Sequence, residues 1–363
     1  MLWDVLCKVV DNHGDAGFGW RLSADLAARG ESVRFWLDDT RALDWMAPER
    51  PGGIEVRPWA ASATIEPLAD VVVETFGCGL PEAYAARLAR ADPAPPWLDV
   101  EYLTAESYAA RSHGLPSPRP NGPGAGAARW CFYPGFDDGT GGLLREPDLA
   151  ERQRRFDRTA WLQTHAGIAP DRLAEVRVVS LFCYENTALP ALLEALSEAP
   201  TVLLASTGRA ARQVTAILGP GLVRGGLRAV VMPRTSQREF DHRLWAADLN
   251  LVRGEDSFVR ALWAGRPFVW QIYPQDDGAE MPKLEAFLDR FVEGAPAPLA
   301  GALRRCFRAW NAAGGTQAAP TAADFRPPER AWREHCQAWR ASLCARTDLS
   351  SRLIVFARSR MLE

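Results

Sequence analysis

The sequence predicts an α/β fold built in two halves, each around a mostly parallel sheet. Three observations carry that expectation. Short apolar runs recur along the chain and alternate with helix-patterned stretches, as in sheets covered on both faces. The alternation stops once, over a polar helical stretch at residues 147–174, and then restarts. At 363 residues the chain is too long for one ordinary core and long enough for two.

The elements follow in order. Leu2 to Val10 reads as a buried strand, and Asp11 to Gly17 as a loop rich in Asp, Asn and Gly. Trp20 to Arg29 has helical periodicity with Gly30 as its stop. Ser32–Leu37, Asp70–Phe76 and Trp97–Tyr102 read as further strands. Residues 114–128, rich in Pro, Gly and Ala, read as a partly mobile surface loop. In the second half Val176–Tyr184, Thr201–Ala205, Leu227–Met232, Leu249–Val252 and Phe268–Ile272 read as strands. Leu189–Leu196, Ser236–Ala247 and Phe258–Ala264 read as helices between them. The expected division is 1–155, 156–345 and a helical tail at 346–363.

Hydrophobic residues make up 47% of the chain, enough for a full core. The net charge of −3 gives no global attraction to nucleic acid or to an anionic membrane. Seven cysteines are scattered without a CxxC pair, which suits a reducing cytoplasm. The five histidines show no zinc-ligand spacing, and no metal or other cofactor is expected. The amino terminus lacks a signal-peptide pattern and no apolar run reaches membrane-spanning length, so a cytoplasmic protein is expected.

The most informative stretch runs from Leu251 to Arg260, through Arg253-Gly254-Glu255-Asp256-Ser257-Phe258. An apolar strand ends in a charged glycine turn, and a helix follows at once. A helix start offers unpaired N–H groups and a partial positive charge, so it can hold a phosphate. Asp256 or Ser257 could equally serve only as the helix cap.

Several blocks, taken together and in order, resemble one family. They are Asp11-Asn12-His13-Gly14-Asp15 with Trp20-Arg21-Leu22, Glu74-Thr75-Phe76-Gly77-Cys78, Glu101-Tyr102-Leu103 and Phe132 to Phe136. Thr140 to Leu143, Leu181 to Glu185, Arg253 to Arg260 and Ile272 to Asp276 complete the set. The chain resembles the elongation factor P arginine rhamnosyltransferases. That resemblance implies a GT-B glycosyltransferase, with two Rossmann-like domains facing each other across a cleft. It implies inverting transfer of rhamnose from dTDP-β-L-rhamnose to one arginine of elongation factor P, supporting rescue of ribosomes stalled on proline runs. It also implies that the amino-terminal half meets the acceptor and the carboxy-terminal half the nucleotide sugar.

The resemblance assigns roles residue by residue. Asp15 is the expected general base and Asp11 a second orienting carboxylate, since an arginine guanidinium stays protonated and needs a proton acceptor. Asp11 also fits a purely loop-stabilising role. Glu255 is the third catalytic carboxylate. Asp256 and Ser257 begin the helix expected beneath the diphosphate, with Ser257 Oγ as a donor, and Arg253 supports the loop. Gly254 lies within the same turn. Tyr184 is placed near the nucleotide, and Ser236 and Gln237 where the thymine edge is read. Phe258 fits either packing on the base or an ordinary buried helix position. Tyr273 and Gln275 line the same pocket, and Asn12, His13 and Gly14 approach the sugar. The chain departs from the family pattern at His13, at Ala16 and at Glu280, which stands near a usual histidine.

Two other readings remain open. One is a GT-B enzyme with another nucleotide sugar or a small acceptor. The other is a noncatalytic nucleotide-binding protein. A nicotinamide-dependent oxidoreductase is disfavoured because no GxGxxG follows the first strand.

Overall fold

The computed structural model describes residues 1–9, 13–118, 121–274, 278, 280–312 and 319–362. The chain forms two compact units, Met1–Leu149 with Ala345–Glu363, and Ala150–Cys344.

Among the described residues the first unit holds seven strands: β1 Leu2–Cys7, β2 Ser32–Leu37, β3 Ile54–Pro58, β4 Val71–Thr75, β5 Trp97–Val100, β6 Pro116–Pro118 and β7 Ala128–Phe132. Their order is β3-β2-β1-β4-β5-β7-β6. All neighbours are parallel except the β6–β7 edge pair. Strand β1 is LWDVLC and buried from its second residue on, as a two-faced parallel strand must be. The helix Gly14–Ala28 covers β1 and β2. It begins six residues before the expected Trp20, because Gly14, Asp15 and Ala16 already form its first turn.

The second unit holds six strands among the described residues: β8 Arg177–Leu181, β9 Thr201–Ser206, β10 Val223–Arg224, β11 Leu227–Met232, β12 Leu249–Arg253 and β13 Phe268–Gln271. Their order is β10-β11-β9-β8-β12-β13, parallel except for the β10–β11 edge. One face of this sheet packs Leu162, Val178, Val202, Leu204 and Met232 together. Aromatic rings cluster near β13: Phe287 meets Phe258, Phe268 and Trp270 with centroids 4.9 to 6.3 Å apart.

Three expectations change. The Pro/Gly-rich stretch at 114–128 contributes β6, an edge strand, which is where proline is tolerated because its missing N–H faces away from the ladder. The first unit closes at Leu149 rather than at 155. The expected tail is not separate. Its helix Leu349–Arg360 buries Leu349, Leu353 and Ala357 in the core of the first sheet, beside Leu22 and Leu26. Asp348 caps this helix by accepting from Ser351 N at 2.9 Å. Arg29 ties it to the first helix by pairing with Asp348 at 2.9 Å and donating to Ser351 Oγ at 2.7 Å.

Candidate active site

In an open α/β sheet, ligands bind outside the carboxyl ends of the strands, where neighbouring strands send their connections in opposite directions. In the second sheet that point lies between β8 and β12, since the chain runs from β8 to β9 on one side and from β12 to β13 on the other. The residues that leave these two strands are Phe182 to Tyr184 and Arg253 to Glu255.

They meet. The Arg253 guanidinium lies 4.2 Å from the centre of the Tyr184 ring and 4.5 Å from that of Phe182. Such cation–π contacts are worth about 0.5–2 kcal/mol and fix a positive charge at the switch point. Gly254 takes a left-handed conformation, φ +66°, and a Cβ there would sit 3.5 Å from the Tyr184 hydroxyl. Its carbonyl accepts from Trp270 Nε1 at 2.9 Å. The Tyr184 backbone is held on both sides: its N–H donates to Gln271 Oε1 at 2.8 Å, and its carbonyl accepts from Gln213 Nε2 at 3.1 Å. Tyr273, about half exposed, meets the Tyr184 ring edge-on at 5.5 Å.

Two helices start at this end of the sheet. The helix Asp256–Ala264 follows β12, and Glu255 occupies its cap position without a side-chain cap hydrogen bond. The first-turn N–H groups and the helix dipole of this element are suited to an anion. Glu255 pairs with Lys283 Nζ at 2.9 Å. Sequence reasoning missed Lys283. The available signal was its rarity, for it is one of two lysines in a chain with 42 Lys and Arg. Glu280 is the first residue of the same helix, Glu280–Phe291. The helix Gln237–Ala246 follows β11, with half-buried Gln237 as its first residue. Arg260 and Asp241, each the fifth residue of its helix, join the two helices through a two-pronged buried pair, 2.9 Å and 2.7 Å.

Three of the candidate side chains are engaged within the protein. Ser257 Oγ, expected to donate to a diphosphate, donates to the Arg253 carbonyl one turn back, leaving its backbone N–H as its contribution to the helix start. Ser236 Oγ accepts from Glu239 N at 3.2 Å and so caps its helix. Phe258 is fully buried and stacks on Trp270 at 4.2 Å with an interplanar angle of 6°. Of the two readings the sequence leaves open, its ring takes the buried one, packed on Trp270 of β13 from the third position of the helix.

In the first sheet the corresponding switch point lies between β1 and β4. Asp15 sits in the first turn of the helix after β1, buried to 5% exposure, where the positive end of the helix dipole favours a carboxylate. His13 occupies the cap position of this helix without a side-chain cap hydrogen bond, exposed, with its ring edge-on to Trp45 at 5.5 Å. Gly14 begins the helix and is exposed. Asp11, Asn12 and Gln275 lie outside the described residues. At the end of β4, Phe76 adopts φ +58°, a conformation that a bulky side chain seldom takes. Beside it Arg129 bridges Glu74 at 2.8 Å and Asp99 at 2.9 Å. Burial and the neighbouring Asp99 push the Glu101 carboxyl up to about 7. Burial also raises the Cys7 and Cys78 thiols, the latter to about 12, which makes neither a ready nucleophile.

Two parallel-dominated sheets with candidate residues at their carboxyl-end switch points define a glycosyltransferase of the GT-B class. The fold is shared with a UDP-glucosyltransferase from Polygonum tinctorium, at TM-score 0.56 over 98% of each chain and 11% identity. The chain belongs to the elongation factor P rhamnosyltransferase family, EarP, whose sequence model matches residues 3–358. It is 42% identical to a protein-arginine rhamnosyltransferase of Pseudomonas aeruginosa over 98% of both chains. A protein of the same name from Neisseria meningitidis is 34% identical over 97% of this chain and 96% of its own. A solved structure concerned with EarP-mediated arginine glycosylation of translation elongation factor EF-P matches at TM-score 0.68, with 32% identity over 99% of each chain.

Proposed function

We propose that the chain transfers rhamnose from dTDP-β-L-rhamnose to a single arginine of elongation factor P, with inversion at the anomeric carbon. The meeting of Arg253 and Tyr184 beside a helix start at the second switch point carries the donor half of this reading. The relatives named as protein-arginine rhamnosyltransferases support the acceptor half.

In the proposed step an arginine nitrogen of the acceptor attacks C1 of rhamnose. The C1–O bond to the diphosphate breaks, dTDP leaves, and the guanidinium proton passes to Asp15. Burial of Asp15 at a helix start limits competition from water for that contact. Glu255, steadied by Lys283, orients the sugar or the incoming nitrogen. The helix start at Asp256–Ser257 and the charge of Arg253 hold the leaving diphosphate, so the transfer needs no divalent cation. The protein acts in the cytoplasm, where its partner works, and helps ribosomes through proline runs. Its seven cysteines are all unpaired, as a reducing compartment requires.

Intact-mass measurement of elongation factor P after incubation with the protein and dTDP-β-L-rhamnose tests the reading. One added deoxyhexose, mapped to one arginine and formed in the presence of a chelator, is expected. Transfer only from another nucleotide sugar, or nucleotide binding with no transfer to the factor, would overturn it.

A further inference from the structure

The helix start at Asp256 poses an electrostatic problem. A diphosphate on its first-turn N–H groups would share the site with two carboxylates, Glu255 at the cap position and Asp256 at the first helical position. Glu255 makes no side-chain cap hydrogen bond, so its charge is not taken up by the N–H groups of its own helix. Glu280, at the start of the neighbouring helix, adds to the acid. The positive helix end and the Arg253 guanidinium work in the diphosphate's favour, but that guanidinium is seated over the rings of Tyr184 and Phe182.

Lys283 supplies the missing counter-charge. Its ammonium pairs with Glu255 Oε1 at 2.9 Å, and the two side chains are only 21% and 20% exposed. A pair so far withdrawn from water is screened less than a surface pair, so removing one partner leaves the other strongly felt. The two residues come from different connections. Glu255 follows β12, and Lys283 is the fourth residue of the helix that follows β13. Those strands are parallel neighbours, so both connections leave the same sheet end. Lysine is the exception in this chain, with two among 42 Lys and Arg. Its charge is compact, which suits a place between a carboxylate and a phosphate.

We infer that Lys283 is a positioning residue of the donor site that cancels the charge of Glu255. A carboxylate can then serve the sugar or the incoming nitrogen while the adjacent helix start holds the negative diphosphate. This rests on the proposed donor, a nucleoside diphosphate sugar. Lys283 acts through Glu255 and takes no part in the bonds that form and break. The pair reconciles two conflicting demands at one helix end: a negative charge for orientation, and none against the leaving group.

Calorimetry with dTDP on folded variants tests it. Lys283→Met keeps the length of the side chain and removes its charge, and dTDP affinity is expected to fall about tenfold to a hundredfold. Lys283→Gln, with a polar end, is expected to do the same. Glu255→Gln is expected to bind dTDP at least as tightly as wild type. Combining Lys283→Met with Glu255→Gln removes both charges and is expected to restore affinity to within about threefold of wild type, while turnover stays low without Glu255. High salt is expected to narrow the gap between Lys283→Met and wild type. A double variant as weak as Lys283→Met alone would show that Lys283 holds the diphosphate directly and would overturn the inference. Unchanged affinity for both Lys283 variants would overturn it too. Absence of dTDP binding by the wild-type protein would instead overturn the donor reading beneath it, so the two failures are distinguishable.

Discussion

Arg253 stands over the face of Tyr184, guanidinium to ring centre 4.2 Å, and the two residues come from neighbouring strands that are 69 positions apart in the chain by their numbers. Their contact closes the switch point of the second sheet. The residue between Arg253 and Glu255 is glycine because the turn takes φ +66°, which other side chains rarely adopt.

Tyr184→Ala removes both the ring under Arg253 and the wall of the switch point. Affinity for dTDP, measured by calorimetry on folded protein, is expected to fall about tenfold to a hundredfold, as for loss of a contact to a charged group. Ser257→Ala is expected to change it less than about threefold, because that hydroxyl already serves the Arg253 carbonyl. The reverse ranking would put Ser257 Oγ back on the ligand.

Asp15→Asn keeps the size of the side chain but removes its capacity to accept a proton. Turnover is expected to fall by about 10²–10⁴-fold. Donor affinity is expected to change little, because the groups proposed to hold the diphosphate lie on the other unit. Near-normal turnover in single-turnover kinetics would move the base to Asp11 or Glu255.

Asp241→Ala removes a buried carboxylate that pairs with Arg260 and Arg152 and is expected to cost about 3–5 kcal/mol in a denaturant titration. Because the pair joins the helices that begin at Gln237 and Asp256, dTDP affinity should fall in parallel with the stability loss. A stability loss with donor binding intact would show that the helix starts are set by other contacts.

Asp25 gives a pH signature. Burial pushes its carboxyl up to about 6 despite the charge of Arg29, 3.2 Å away. The folded state therefore holds this proton more tightly than the unfolded chain. Between roughly pH 4 and 6 the unfolded state binds fewer protons at this site, so its contribution to stability declines as pH rises. Asp25→Asn is expected to abolish that decline and to give its largest relative stabilisation above pH 6. Thermal melts from pH 4 to 8 in which the two proteins keep a constant difference would refute this.

Much of the fold was legible because buried parallel strands write themselves as short apolar runs, as in Leu2–Cys7 and Thr201–Ser206. The Arg253–Glu255 turn was legible because glycine and charge interrupt such a run. Other features carry no local signal. Apolar spacing identifies a buried face on helix Leu349–Arg360 but not the sheet that it covers. An apolar residue in a first helical turn, such as Phe258, reads the same whether it meets a ligand or Trp270. Ile54–Pro58 was missed because alternating Glu55 and Arg57 dilute a three-residue apolar pattern at a sheet edge. The ends of a hydroxyl's hydrogen bonds, as at Ser236 and Ser257, depend on backbone geometry that composition does not encode.

The docking of helix Leu349–Arg360 into the first sheet has a consequence for the order of events during synthesis. A domain contiguous in sequence can complete its core as it leaves the ribosome. Here residues 1–149 emerge first but lack Leu349, Leu353 and Ala357 until translation has passed through the entire second unit. The half that carries Asp15 therefore matures last, through contacts of very large sequence separation, which are slow to form. A chain cut short by even its final helix should keep a folded second unit yet leave the other sheet with exposed apolar surface.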